Sequence, residues 1–130
     1  MDDALLEGIR QFNLQQFFAC HEALESLWLK EQGEEKLFLQ GLIQVAAAFH
    51  HHARSNPQGA QPLLEEGWKK LVRFGETRRG VDLAGLRRQL QAWRDFFNHP
   101  PRRDLAAPAE LPPLPYIQIR GPVTSGERGN

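Results

Sequence analysis

The chain has 130 residues, of which 41% are hydrophobic and 25% charged, and its 16 basic and 16 acidic side chains leave no net charge. That size and balance fit one globular domain with a core of its own. They exclude a transmembrane protein, because the longest nearly apolar run, Gly41 to Phe49, is short and carries Gln44. The single cysteine, Cys20, excludes an internal disulfide, and the acidic start Met1-Asp2-Asp3 is unlike a secretory signal. Together these features point to the cytoplasm. The zero net charge hides an asymmetry: residues 1–68 hold 10 acidic and 4 basic side chains, and residues 69–130 hold 6 and 12. Two such halves can attract each other within one fold or between two copies, so a homodimer is one expectation.

Apolar spacing predicts five helices in chain order. Leu5, Ile9 and Phe12 mark a short first helix over about 3–12, stopped near Asn13. Phe17, Cys20, Leu24 and Leu27 share one face of a second, from about Gln15 to Glu31, broken by Gly33. The third, from about Glu34 to Arg54, is apolar around nearly its whole circumference, which predicts a central position. Ser55-Asn56-Pro57 ends it and caps a fourth over about 58–74, with Leu64, Trp68, Leu71 and Val72 inward. Gly75 and Gly80 frame a turn, and Asp82 caps a fifth helix that reaches about Asn98 on a Leu83, Leu86, Leu90, Trp93, Phe97 stripe. No strand pattern is legible before residue 100.

Pro100-Pro101 stops the last helix, and the remaining segment is proline-rich. Leu111-Pro112-Pro113-Leu114-Pro115 favours an extended, polyproline-like path. The chain therefore divides into a helical bundle over 1–100 and an extended tail over 101–130, whose last residues, from Thr124, are expected to be disordered. Leu111, Leu114, Tyr116, Ile117 and Ile119 are too apolar to be left wholly in water. About residues 105–119 are expected to lie across the bundle or a second copy, with Tyr116 or Ile117 in a groove.

The second and third helices carry polar groups where a core is expected. His21, Glu25 and Trp28 form one stripe, with Glu22 beside it; Gln40, Gln44, Ala47 and His51 form another. A short connection makes the two helices antiparallel, which sets residue 21 level with 45, 25 with 41 and 28 with 38. Gln44 then faces His21 and Glu22, and Gln40 faces Glu25. A buried carboxylate or amide is costly without a partner. The stripes therefore read as one hydrogen-bonded seam, and Ala46, Ala47 and Ala48 would let a neighbouring helix come close.

Three readings fit the seam. It can be a structural network in which the amides and His21 satisfy the carboxylates. It can be a binding or catalytic pocket, with a carboxylate as general base and His21 as partner. It can be a metal site, since His21-x-x-x-Glu25 with His50, His51 and His52 supplies ligand types. Geometry opposes the metal: His51 lies level with residue 15, about 9 Å of helix rise from His21, far beyond coordination reach. No metal and no cofactor are therefore expected. Among the three histidines, His50 extends the buried Ile43–Ala46 face and His52 is expected to be solvated. Cys20 lies in the apolar stripe and reads as a small buried hydrophobe rather than a nucleophile. Arg73, Arg78, Arg79, Arg87, Arg88 and Arg94 read as a solvated face, and no nucleic-acid motif accompanies them.

Phe12-Asn13, Phe17-Phe18-x-Cys20-His21-Glu22-x-Leu24-Glu25-x-x-Trp28, Gln40-Gly41-Leu42-Ile43-Gln44-x-Ala46, His51, Asn56 and Gly59-Ala60 together resemble the domain of unknown function 309 family. The resemblance covers about residues 5–74. It implies a small all-α helical bundle, no established activity and no cofactor. His21, Glu22, Glu25, Trp28, Gln40, Gln44 and Asn56 match the family signature and imply a shared seam.

The expected protein is an all-α bundle of about five helices that acts in binding or assembly. The alternative is a small hydrolase-like or metal-dependent enzyme using Glu22, Glu25 and His21.

Overall fold

The computed structural model describes residues 2–99 and 111–120. Among the described residues the protein is all-α apart from one minimal hairpin and the bridge it makes to Ile119. In order, the helices are α1 (Asp3–Asn13), α2 (Phe17–Trp28), α3 (Gly33–Ala53), α4 (Pro57–Leu71) and α5 (Leu83–Asn98). A single 3-10 turn, Val72–Phe74, follows α4.

Side-chain caps set several of the helix starts. Asp2 accepts hydrogen bonds from the backbone N–H groups of Ala4 and Leu5 at the head of α1. Asn56 accepts from Gly59 N at 3.1 Å, and Pro57 follows at the first position of α4, where its missing N–H is not needed. Asp82 does the same for α5, accepting from Gly85 N at 3.0 Å. α2 stops at Trp28, about a turn before the expected end, and the chain turns back through Gly33, whose φ of 64° favours glycine.

The reading of no strands before residue 100 is corrected by an antiparallel pair, β1 (Thr77–Arg78) with β2 (Val81–Asp82). Two residues a side are too few to show alternation. What makes the turn is backbone freedom, with Arg79 and Gly80 both at positive φ. Val81 also bridges to Ile119, so the hairpin gains a third partner from the far end of the chain.

α3 lies at the centre, with α2 and α4 packed against it, α1 against α2 and α5 against α4. Phe38, Leu39, Leu42, Val45, Ala46, Ala48 and Phe49 of α3 are buried. α3 and α4 approach closely where Gly41 of α3 meets Gly67 of α4: a Cβ on Gly67 would stand 2.9 Å from Gly41 O and 2.9 Å from Val45 Cγ2. A second aromatic core joins α3 to α5, with Trp93 fully buried and edge-on to Phe49 at 5.2 Å.

The opposed charges meet within the one chain. Arg78 and Arg79 of the hairpin bond Glu35, Arg79 also approaches Glu31 at 3.5 Å, and Arg73 pairs with Glu34 at 3.4 Å. Arg94 grips Glu65 with two bonds of 2.8 and 3.0 Å and stacks on Trp68. Arg87 donates to the Gly75 carbonyl at 2.7 Å and to that of Leu71 at 3.3 Å. The arginines expected to form a solvated face are thus in part half-buried ties between α5, the hairpin and the earlier helices.

Residues 111–120 run extended against α1, α5 and the hairpin. Ile117 is only 3% exposed, whereas Tyr116 is 50% exposed, so Ile117 is the residue in the groove. The expected tail segments 105–110 and 124–130 lie outside the described residues.

Gly67→Ala should destabilise the fold by about 1–3 kcal/mol, because the added methyl meets backbone and a packed valine rather than a flexible side-chain end. Thermal denaturation followed by circular dichroism checks this; a melting temperature equal to wild type would show that the two helices can part at no cost.

Candidate binding face on the second and third helices

The face begins with the register of α2. Phe17, Cys20, Leu24 and Leu27 are buried, which turns Phe18, Glu22, Glu25 and Leu29 outward. Phe18 is 54% exposed and Leu29 66%, large apolar side chains on an outer stripe that also carries two carboxylates. His21 and Trp28 flank that stripe and are half-buried, as are Gln40, Gln44, His50 and His51 of α3.

The expected buried carboxylates are a correction. Glu22 and Glu25 are exposed, and no hydrogen bond among the described residues joins either to His21, Gln40 or Gln44. The spacing that groups Glu25 with His21 is right, but the helix is rotated so that its apolar side takes the core, and water solvates the carboxylates. What remains of the seam is its inner edge. His21 Nδ1 and Gln44 Oε1 are buried without a hydrogen-bond partner among the described residues. Such atoms are uncommon in native proteins and call for a cause.

Aromatic stacking orders one end of the face. The Phe18 ring lies parallel to His21, with centroids 6.2 Å apart and planes within 3°, and meets His50 at 5.4 Å. His50 is held below the ordinary imidazole value, first by burial and then by the nearby charge of Arg54. At the other end, Lys36 Nζ sits 4.2 Å above the Trp28 ring, a cation–π contact. Trp28, Lys36, Leu37 and Gln40 line a shallow hollow of about 260 Å³ there. That falls short of the roughly 300 Å³ at which small-molecule sites begin.

His51 and Asn56 belong to the chain's internal architecture. The Asn56 amide donates to His51 Nδ1 at 3.1 Å while its Oδ1 caps Gly59. Because Oδ1 is the acceptor, Nδ2 must be the donor, so Nδ1 of His51 is unprotonated. A Cβ on Gly59 would strike the Asn56 amide at 2.6 Å. The three residues together turn the chain from α3 into α4.

His52 corrects the expectation of a solvated ring. It is half-buried, 4.7 Å from Trp93 and 5.8 Å from Phe97, and burial lowers its pKa. The aromatic stripe of α5 was legible; that it wraps the end of α3 was not, because nothing local records which helices meet. Cys20 is buried and its thiol is pushed up to about 12 by burial, so it stays protonated and unreactive. Among the described residues, no group of three or more His, Cys, Asp or Glu side chains converges as metal ligands would. No helix among the described residues is long and apolar enough to cross a membrane.

Residues 5–63 match the family model described as "Domain of unknown function (DUF309)". The match covers a little under half of the chain. The DUF309 segment includes α2, α3 and the start of α4, and hence all the candidate site residues. Its relatives include an uncharacterized protein of Aquifex aeolicus (strain VF5), 29% identical over 90 residues, which are 68% of this chain and 27% of that protein. Another is the uncharacterized protein YpuF of Bacillus subtilis (strain 168), 41% identical over 49 residues, 37% of this chain and 28% of that one. The chain spans about a quarter of the length of these curated relatives.

Two predictions follow from these positions. At high dilution, where the single chain is measured, Glu25→Ala should leave stability within about 0.5 kcal/mol of wild type, as at an ordinary surface site. Asn56→Ala, which removes a cap and orphans His51, should lower it by about 1–2 kcal/mol. Urea unfolding of the two variants side by side checks this, and a larger loss from Glu25→Ala would restore a buried carboxylate.

Stability should also fall with acid through His52. Its folded pKa is below the ordinary 6.5, so the unfolded chain binds that proton more readily. The full contribution is present above pH 6.5 and is lost as pH falls below it, before Glu65, whose pKa Arg94 lowers from 4.5, begins to protonate. His52→Phe should flatten melting temperature against pH between about 7 and 5; an unchanged slope would show that the ring titrates freely.

Proposed function

We propose that this chain is a binding and assembly module whose contact face is the outer side of α2 with the adjoining edge of α3, and that its occupant is a second copy. One observation carries the reading: Phe18 and Leu29 stand exposed on the same stripe as Glu22 and Glu25. An exposed apolar row flanked by carboxylates is the composition of a surface that a partner covers.

The stripe is self-complementary when two α2 helices lie antiparallel about a twofold axis at the level of Ala23. Phe18 of each copy then meets Trp28 of the other, and His21 meets Glu25, so each contact is made twice. The carboxylates that repel within one chain's face become partners across it. The recurrence of this segment within longer relatives supports a module that is combined with other parts. The enzyme reading would need Glu22 and Glu25 to converge on a shared site with His21, and both are turned to solvent.

Sedimentation equilibrium tests the proposal. The wild-type chain should be a dimer at micromolar concentration. Phe18→Asp should be a monomer with unchanged helical circular dichroism. A wild-type chain that stays monomeric at its highest soluble concentration, or a Phe18→Asp chain that still dimerises, would remove α2 as the assembly face.

A further inference from the structure

Residues 111–120 are held in an unusual way. Two side-chain amides each clasp both main-chain polar groups of one tail residue. Asn13 Oδ1 accepts from Ile117 N at 2.7 Å, and its Nδ2 donates to Ile117 O at 2.9 Å. Gln89 accepts from Tyr116 N and donates to Tyr116 O, both at 2.9 Å. Trp93 Nε1 donates to Pro113 O at 2.8 Å. At the hairpin, Asp82 N donates to Gln118 O at 2.9 Å and Arg120 N to Gly80 O at 2.6 Å. These bonds are made to the main chain of the tail; of its side chains, Arg120 donates to Asp82 Oδ2 at 3.4 Å.

A pair of bonds from one amide to the N–H and C=O of a single residue copies what a neighbouring strand residue does in an antiparallel sheet. Asn13 and Gln89 thus act as two rungs of a ladder that the hairpin continues at Val81. Recognition of this kind reads an extended backbone and leaves side chains to be selected by pockets. Here the pockets take Pro115 and Ile117, which are buried. Leu111, Tyr116 and Ile119 are left at 57%, 50% and 45% exposure.

Open surface depressions border the segment on two sides. A cavity of about 470 Å³ runs beside the tail along α5, bordered by Arg88, Ala92 and Tyr116. Another of about 560 Å³ lies along α1, bordered by Leu6, Arg10 and Ile119.

We propose that the groove between α1, α5 and the hairpin is a receptor site for an extended peptide, and that residues 111–120 are its tethered occupant. The ligand class is an extended segment with proline two residues before a buried aliphatic side chain and with free N–H groups at the two clasped positions. The tether raises the local concentration of the chain's own segment, so an incoming segment of the same class binds only by displacing it. The site is distinct from the α2 face and does not depend on dimer formation there.

The test uses the folded full chain. A protease recognition sequence is inserted between Pro101 and Leu111, and the protein is cut there after folding. A fluorescent synthetic peptide of residues 111–120 is then titrated against it, with anisotropy reporting exchange and circular dichroism reporting the fold. The expected result is saturable exchange into a body that keeps its helical signal and its melting transition. The same peptide N-methylated at Ile117 loses the donor that Asn13 accepts, and should bind about tenfold more weakly or worse. Asn13→Asp and Gln89→Glu keep their acceptors but lose their donors, and should each weaken the unmodified peptide by a similar factor. Tyr116→Ala in the peptide should change little, since that side chain is half-exposed. Failure of the peptide to exchange, loss of the helical fold when the cut segment leaves, or equal binding of the N-methylated peptide would each show that the segment is an integral part of the core and would overturn the proposal.

Discussion

The fold depends on the approach of α3 to α4 at Gly41 and Gly67. With no side chain on either residue, the two backbones come within van der Waals contact, and Leu71 and Val45 close over the crossing. Glycine in a helix interior lowers helix stability by about 1 kcal/mol relative to alanine, so these residues persist through packing rather than propensity. The close crossing lets one helix of moderate length bury almost all of its circumference. α2 and α4 cover its two sides, and α5 closes over its end through Phe49, His52 and Trp93.

Charge then orients the peripheral parts on that core. The glutamates at the start of α3 receive Arg73, Arg78 and Arg79, and Glu65 of α4 receives Arg94 of α5. The pairs are partly exposed, and exposed pairs are individually weak. Their arrangement matters more than their energy: acidic groups of the first half meet basic groups of the second and hold the hairpin against α3. The same hairpin supplies the edge that receives Ile119, so the start of α3 and the 111–120 segment are joined through a structure of only a few residues. An arginine-rich half that looks suited to phosphates is in this way largely committed to its own fold.

The candidate face shows how periodicity can be right and its meaning different. His21, Glu25 and Trp28 do share a side of α2, and Gln44 does lie on the half-buried edge of α3. The spacing could not say whether that side looks inward. Phe17, Cys20, Leu24 and Leu27 compete for the core and win, because burying them is favourable whereas burying Glu22 and Glu25 is not. The result is a polar and apolar stripe at the surface, with only its inner edge, His21 Nδ1 and Gln44 Oε1, closed off. His51 and Asn56, grouped with the seam by their residue types, serve instead to turn one helix into the next.

Local information determined the five helices, their caps at Asn56 and Asp82, the breaks at Asn13 and Gly33, and the central place of α3. Each rests on interactions within a few residues or on the apolar content of one segment. The sequence also determined that residues 111–120 could not be helical, since their prolines lack the required N–H. Tertiary structure alone decided the glycine crossing, the burial of His52 under α5, the pairing of Val81 with Ile119 and the clasp of Asn13 on Ile117. These join residues distant in the chain, and the same side chains could have met other partners. Which partners they meet is set by the packing of whole helices, because a single buried surface must be satisfied everywhere at once.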